Sequence, residues 1–217
     1  MLLAIDTATH TASLALHDGL RVRYEATWEA HRRHTVQLTA RLAEALEDLG
    51  VTPEGLSGVA VTLGPGSFTG LRVGMAVAKG LTLARSIPLV GIPTLDVLAA
   101  AQGRGRQPLV AVLQAGRGRI CAATYRWRKG WQRREGPTLT TWEELVARVE
   151  KPTLFCGEVD ERGAEVLEQL GDLAATLPPA HCLRRAGFLA ELAWGRIRRG
   201  QTDNPVTLTP IYLHQPS

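Results

Sequence analysis

The apolar positions of this chain change period several times, and the changes outline its elements. Leu2–Asp6 (LLAID) is a short apolar run, and Thr11–His17 (TASLALH) alternates apolar and polar residues as a half-buried strand does. Asp18-Gly19 supplies a hairpin turn, so residues 20–27 are expected to continue as a third antiparallel strand. From 34 to 49 the period lengthens. Leu38, Leu42, Ala45, Leu46 and Leu49 recur at the three- and four-residue spacing of a helix, and Gly50 closes it. Thr52-Pro53-Glu54-Gly55 reads as a brief helical turn with proline at its first position. A buried strand at 59–63 (VAVTL), a glycine-rich turn at 64–70 and a helix at 71–85 follow, then a strand at 89–93 and a helix at 95–102 capped by Thr94.

Gly103-Arg104-Gly105-Arg106-Gln107-Pro108 interrupts the pattern and marks an expected boundary. Beyond it the opening order returns. Strands are expected at 109–113, 120–127 and 131–135, with Lys129-Gly130 as a hairpin turn. A helix capped by Thr140 or Thr141 should run to 150, followed by a strand at 153–156, helices at 161–170 and 186–199, and an extended tail over 206–213. The fold class is therefore α/β: two domains with mixed sheets, 1–103 and 104–217, each a β-β-β-α-β-α unit, the second abridged. The C-terminal tail is allowed to pack back on the first domain.

Composition adds little to this outline. A chain of 217 residues is long enough to bury a core without staples, and no apolar run approaches a membrane span. The first strand follows Met1 directly, without the basic region and cleavage site of a secretory signal. Cys121, Cys156 and Cys182 are odd in number and share no CxxC spacing, as expected of thiols in a reducing cytoplasm. Net charge is +4, and only Lys79, Lys129 and Lys151 among the 25 basic residues are lysines, which is compatible with an RNA-handling assembly.

The segment Gly64-Pro65-Gly66-Ser67-Phe68-Thr69-Gly70 lies between strand and helix, where backbone donors and a helix N-terminus can meet a phosphate. It is not a Walker loop, which requires a lysine, nor a Rossmann fingerprint, whose spacing differs. Asp6 and Thr7, with Gly64, Gly66, Ser67 and Thr69, are the candidates for a residual phosphate or nucleotide loop; the alternative is a tight connection in which Asp6 serves its own turn. A two-domain nucleotide site would want a second acid where this chain has Gln114. In the helix behind the loop, Gly70, Gly74 and Ala78 form one small-residue stripe, and Ala76, Gly80 and Ala84 form another. Each glycine inside a helix costs about 1 kcal/mol against alanine, so close approach by something else is expected to offset it. His31 and His34 form no HxxxH or HExxH pair, and leucine stands at position 38 where a second ligand would be, so no metal is expected.

Asp6-Thr7-Ala8-Thr9, His34-Thr35, the run from Gly64 through Leu71-Arg72-Val73-Gly74, Val90-Gly91-Ile92-Pro93-Thr94-Leu95 and Pro210-Ile211-Tyr212-Leu213 resemble the bacterial TsaB (YeaZ) family, strongly over 1–100 and weakly beyond. The resemblance implies an actin/Hsp70/sugar-kinase-like (ASKHA) fold and a non-catalytic subunit without a cofactor. Such a subunit pairs with its catalytic paralogue TsaD, and with the ATPase TsaE, to make threonylcarbamoyladenosine in tRNA. It also implies possible homodimers, tRNA reached only through the complex, a cytoplasmic location and no membrane. Carried onto this chain, the interface helices are 34–49 and 71–85, with His34, Leu38, Arg41, Leu42, Gly70, Arg72, Val73, Gly74, Val77, Gly80 and Leu81 as interface candidates. An ATP-using kinase or ATPase of the same fold, with Asp6 as its acid, is the alternative. A metalloprotease, after the peptidase (M22-like) name given to some relatives, is a weaker one. The family's second-domain Asp-Ala-Arg motif is replaced here by Gln114-Ala115-Gly116, and His214 stands where an arginine is common.

Overall fold

A computed structural model describes residues 1–30 and 34–213; His31, His214 and the side chain of His34 lie outside the described residues. The elements in chain order are β1 (Leu2–Asp6), β2 (Thr11–His17), β3 (Val22–Glu29), α1 (His34–Asp48), β4 (Gly58–Thr62), α2 (Phe68–Arg85), β5 (Leu89–Ile92) and α3 (Thr94–Ala100). They continue as β6 (Leu109–Gly116), β7 (Arg119–Trp127), β8 (Trp131–Thr140), α4 (Trp142–Val146), β9 (Thr153–Gly157), α5 (Glu161–Glu168), β10 (Ala174–Thr176) and α6 (Ala186–Ile197).

Two five-stranded sheets result, ordered β3-β2-β1-β4-β5 and β8-β7-β6-β9-β10. In each, the first three strands form an antiparallel meander and the last two join parallel to the first. The two orders are the same, so the repeat inferred from element order is a repeat of topology.

Compactness does not divide the chain at residue 103. One unit takes Met1–Val97 together with Arg184–Tyr212, and the other centres on residues 98–183. The 1–103 and 104–217 boundary is corrected accordingly. The physical reason is α6, whose Ala186, Leu189, Ala190 and Ala193 bury against Leu2, Ala4, Ala15, Ala60 and Val90 of the first sheet. The opposite face of that sheet is covered by α1 and α2, with Leu38, Leu42, Ala45 and Leu46 meeting Leu3, Ile5, Leu14, Leu16, Val59 and Val61, and Met75 and Ala78 joining them. The first sheet is thus buried on both faces, which explains why β1 and β4 have no exposed residue. In the second unit Trp142, Val166 and Leu167 cover Val110, Val112, Ile120 and Phe155.

Several boundaries moved. β3 starts at Val22, because Asp18 Oδ1 accepts from the amides of Leu20 and Arg21 and holds the hairpin turn open two residues longer. β8 continues to Thr140, and α4 is short, begun by a capping box between Thr141 and Glu144. β10 was not expected; its three residues carry too little pattern to register. The tail after α6 is irregular, attached by an isolated bridge between Leu89 and Asp203.

Candidate functional site

The glycine loop and α2 were the sequence's main candidate, and the structure divides their residues between two roles. Ser67 caps α2, its Oγ accepting from the Gly70 amide at 3.3 Å, so the helix begins at Phe68 rather than Leu71. The Ser67 amide donates to the Ala8 carbonyl at 2.6 Å, and Thr7 Oγ1 donates to the Gly70 carbonyl at 2.7 Å. A Cβ on Gly66 would strike the Ala8 carbonyl oxygen, one on Gly70 the Thr7 carbonyl oxygen, and one on Gly74 the Thr7 hydroxyl. These glycines exist so that the loop and first turns of α2 can lie on the β1–β2 turn. Gly64 has φ +110, a left-handed conformation that glycine adopts without strain, and sits against the Ile211 carbonyl.

Asp6 is fully buried and committed. Its Oδ1 accepts from the Ala8 amide at 2.9 Å and from Thr62 Oγ1 at 3.2 Å, and its Oδ2 accepts from Arg184 Nε at 3.2 Å. Arg184, itself 3% exposed, also donates to Thr9 Oγ1 and to the Thr11 carbonyl. This guanidinium was missed by sequence reasoning; the only available signal was a basic residue beside a mostly apolar helix. With both carboxylate oxygens engaged and Thr7 turned to Gly70, Asp6 and Thr7 are internal braces and not a phosphate cradle. Ser67 and Thr69 remain exposed at the helix start. In the second unit Gln114 is held in a comparable way, its amide nitrogens donating to the side chain and carbonyl of Glu158 at 2.9 and 2.8 Å. Among the described residues no group of three or more His, Cys, Asp or Glu side chains is placed to hold a metal ion.

The interface candidates split by face. Leu38 and Leu42 are core residues on the inward side of α1, and Gly70 and Gly74 lie on the inward side of α2 against Thr7. All four are corrected: they pack on the chain's own sheet. Arg72 and Gly80 are exposed, and Val73, Val77 and Leu81 are half-buried. Arg41 lies with its guanidinium 4.8 Å from the Trp28 ring, and Arg72 covers Phe68 at 4.7 Å, while Phe68 meets Tyr212 of the tail at 5.0 Å. Ala76, Gly80 and Ala84 are all exposed, and a Cβ on Gly80 would meet nothing within 4 Å. The second small-residue stripe is therefore the outward one. It borders a shallow groove of about 340 Å³ lined by Thr35, Phe68, Thr69, Arg72, Val73, Ala76 and Val77. Leu83 (55% exposed) and Val36 (72% exposed) extend this apolar face along α2 and α1.

A family model described as TsaD, tRNA N6-adenosine threonylcarbamoyltransferase, matches residues 28–151. The tRNA threonylcarbamoyladenosine biosynthesis protein TsaB of Bacillus subtilis (strain 168) is 30% identical over 174 residues, spanning 78% of this chain and 76% of that protein. The chain belongs to the TsaB (YeaZ) family. The TsaB protein of Escherichia coli (strain K12) is 35% identical over 132 residues, 57% of this chain and 54% of its own length. A Pseudomonas aeruginosa crystal structure described as similar to peptidase YEAZ superposes with a TM-score of 0.82 at 24% identity, over 98% of this chain and 99% of that one. The ethanolamine utilization protein EutJ of Carboxydothermus hydrogenoformans superposes with a TM-score of 0.51 at 15% identity, over 89% of both chains. With the repeated sheet order, these likenesses identify the ASKHA fold expected of a TsaB family member.

Proposed function

We propose that this chain is a non-catalytic subunit of the machinery that forms threonylcarbamoyladenosine in tRNA, binding and activating a TsaD-type threonylcarbamoyltransferase through the outward faces of α1 and α2. The observation that carries the reading is the division of α2. Its inner stripe is occupied by the β1–β2 turn, whereas Arg72, Val73, Ala76, Val77, Gly80 and Leu83 form an outward stripe with small residues at its centre. A helix stripe of this kind lets a second helix approach closely, where dispersion contacts and apolar burial of about 25 cal/mol per Å² stabilise the pair. The names carried by the relatives, for the modification and for the transferase, support a TsaD-type protein as the partner.

The kinase or ATPase alternative needs Asp6 free to act on a phosphate or its metal, and Asp6 is bound to Arg184 inside the fold. The non-catalytic reading is favoured for that reason. Co-purification of the full chain with a TsaD-type partner tests it. Wild type should associate at micromolar concentration, and Gly80→Arg should weaken association at least tenfold while melting at the wild-type temperature. No association by the wild type, or metal-dependent ATP turnover by the pure chain that Asp6→Asn abolishes, would overturn the reading. The same outward face can serve a second copy of the chain when the partner is absent, and sedimentation of the purified protein would register that as a dimer lost in Gly80→Arg.

A further inference from the structure

Residues 126–135, at the tip of the β7–β8 hairpin, hold five basic side chains and one acidic one. Their net charge of +4 equals that of the entire chain, so the other residues together are neutral. Several arginines elsewhere on the surface are paired with acids: Arg23 with Asp18, Arg85 with Glu54, Arg162 with Glu143 and Glu165, Arg185 with Glu25, Arg196 with Asp203. Among the described residues, Arg126, Arg128 and Lys129 have no such partner, and Arg134 donates only to the neutral Gln132 amide oxygen at 3.3 Å.

The tip is held rigidly despite its charge. Trp127 pairs with Trp131 across the strands with rings 5.6 Å apart and nearly perpendicular. Trp131 Nε1 donates to the Gln102 carbonyl at 3.1 Å, and the ring lies against Gly105, so the hairpin is braced on the loop that carries Arg104 and Arg106, both exposed. The Arg128 amide donates to the Gly130 carbonyl at 2.8 Å, and Gln132 Nε2 donates to the Arg128 carbonyl at 3.2 Å. Like charges on neighbouring positions repel, and a fold that holds Arg126, Arg128 and Lys129 together at one hairpin tip presents a pre-organised site for a polyanion.

We infer that the tip of the β7–β8 hairpin, with the loop bearing Arg104 and Arg106, is an RNA-contacting surface that grips the phosphate backbone. Guanidinium groups match phosphate oxygens in pairs, which suits the dominance of arginine here. Trp127 and Trp131, the large hydrophobic side chains of 126–135, are half-buried and engaged with each other and with the Gln102–Gly105 loop, which leaves little apolar surface for insertion into an anionic membrane. The choice of RNA among polyanions rests on the function proposed above.

The test uses the full chain alone, an unmodified tRNA transcript and fluorescence anisotropy across a salt series. Wild type should bind, with affinity falling steeply as salt rises. The triple variant Arg126→Glu, Arg128→Glu, Lys129→Glu should bind at least tenfold more weakly and lower the log–log salt slope by about two to three, since each lost phosphate contact removes about 0.7–0.9. Arg126→Lys with Arg128→Lys, which keeps the charge and the fold, should stay within about threefold of wild type. Wild-type affinity and slope in the triple variant would overturn the proposal, as would binding of the wild type to phosphatidylserine vesicles but not to the transcript. The RNA probe is applied without any partner protein, and the pairing face is on α2. Failure of RNA binding therefore leaves the pairing reading standing, and the triple variant should still co-purify with the TsaD-type partner.

Discussion

Gly74 and Gly80, both inside α2, should respond oppositely to the same added methyl group. Replacing glycine by alanine within a helix is worth about 1 kcal/mol of helix propensity. At Gly80 a Cβ meets nothing within 4 Å, so Gly80→Ala should stabilise the protein by about 0.5–1 kcal/mol. At Gly74 the new Cβ would overlap Thr7 Oγ1, which already donates to the Gly70 carbonyl at 2.7 Å in a buried setting. Thr7 must turn away, which breaks that bond at a cost of about 1–3 kcal/mol and adds overpacking strain of similar size. Gly74→Ala should therefore be destabilising by about 2 kcal/mol or more after the helical gain is credited. The remaining neighbours, Ile5 Cγ2 at 3.5 Å and Thr7 Cβ at 3.6 Å, are ordinary contacts. In a Thr7→Ala background the same Gly74→Ala change should then be neutral or stabilising, a coupling of at least about 2 kcal/mol between adjacent sites. Equilibrium urea unfolding reads all four proteins, and each kcal/mol corresponds to a Tm shift of about 2–4 °C for a chain of this size. If Gly74→Ala stabilises as Gly80→Ala does, the assignment of the inner stripe is wrong.

Other outcomes follow from buried groups. Asp6→Asn keeps the shape but leaves Arg184 buried without its charge partner, and should cost about 3–5 kcal/mol in urea unfolding. Asp160→Ala removes both the α5 cap to the Gly163 amide and the acceptor for Trp142 Nε1 at 2.8 Å, and should destabilise by about 2–3 kcal/mol, read as a lower urea midpoint. Burial pushes the Cys121 thiol up to about 12 and raises Cys156 as well, so a thiol reagent at pH 8 should modify half-buried Cys182 well before either. Because those two folded-state values are raised, their contribution to stability is complete below the ordinary thiol value of 9.0. It is lost as pH rises toward 12, and unfolding midpoints should fall across that window.

The elements were largely legible because their periods are clean. VAVTL and LLAID each carry one polar residue, near the C-terminal end, and became central strands, and Leu38, Leu42, Ala45 and Leu46 became the inner face of α1. The duplicated topology was readable from element order, whereas the return of α6 to the first sheet was not, since an apolar helix does not declare which sheet it will cover. The two small-residue stripes of α2 were visible, but which of them faced inward was not. Orientation is decided by Thr7 and Ala8, more than fifty residues earlier in the chain. Asp6 stood at the right place for chemistry, and only its partner 178 residues away reveals it as a brace. The charge of the β7–β8 tip was present in the composition, yet its significance depended on knowing that Arg126, Arg128 and Lys129 share one tip while arginines such as Arg23, Arg162 and Arg196 are paired with acids.

The account rests on the outward stripe of α2 being the surface that a TsaD-type partner covers. Isothermal titration of wild type and Gly80→Arg against such a partner measures this directly, because the substitution projects into open space and leaves the fold untouched. The account predicts a wild-type complex of micromolar affinity or better that Gly80→Arg weakens at least tenfold at unchanged Tm. Equal affinities for the two proteins would contradict it.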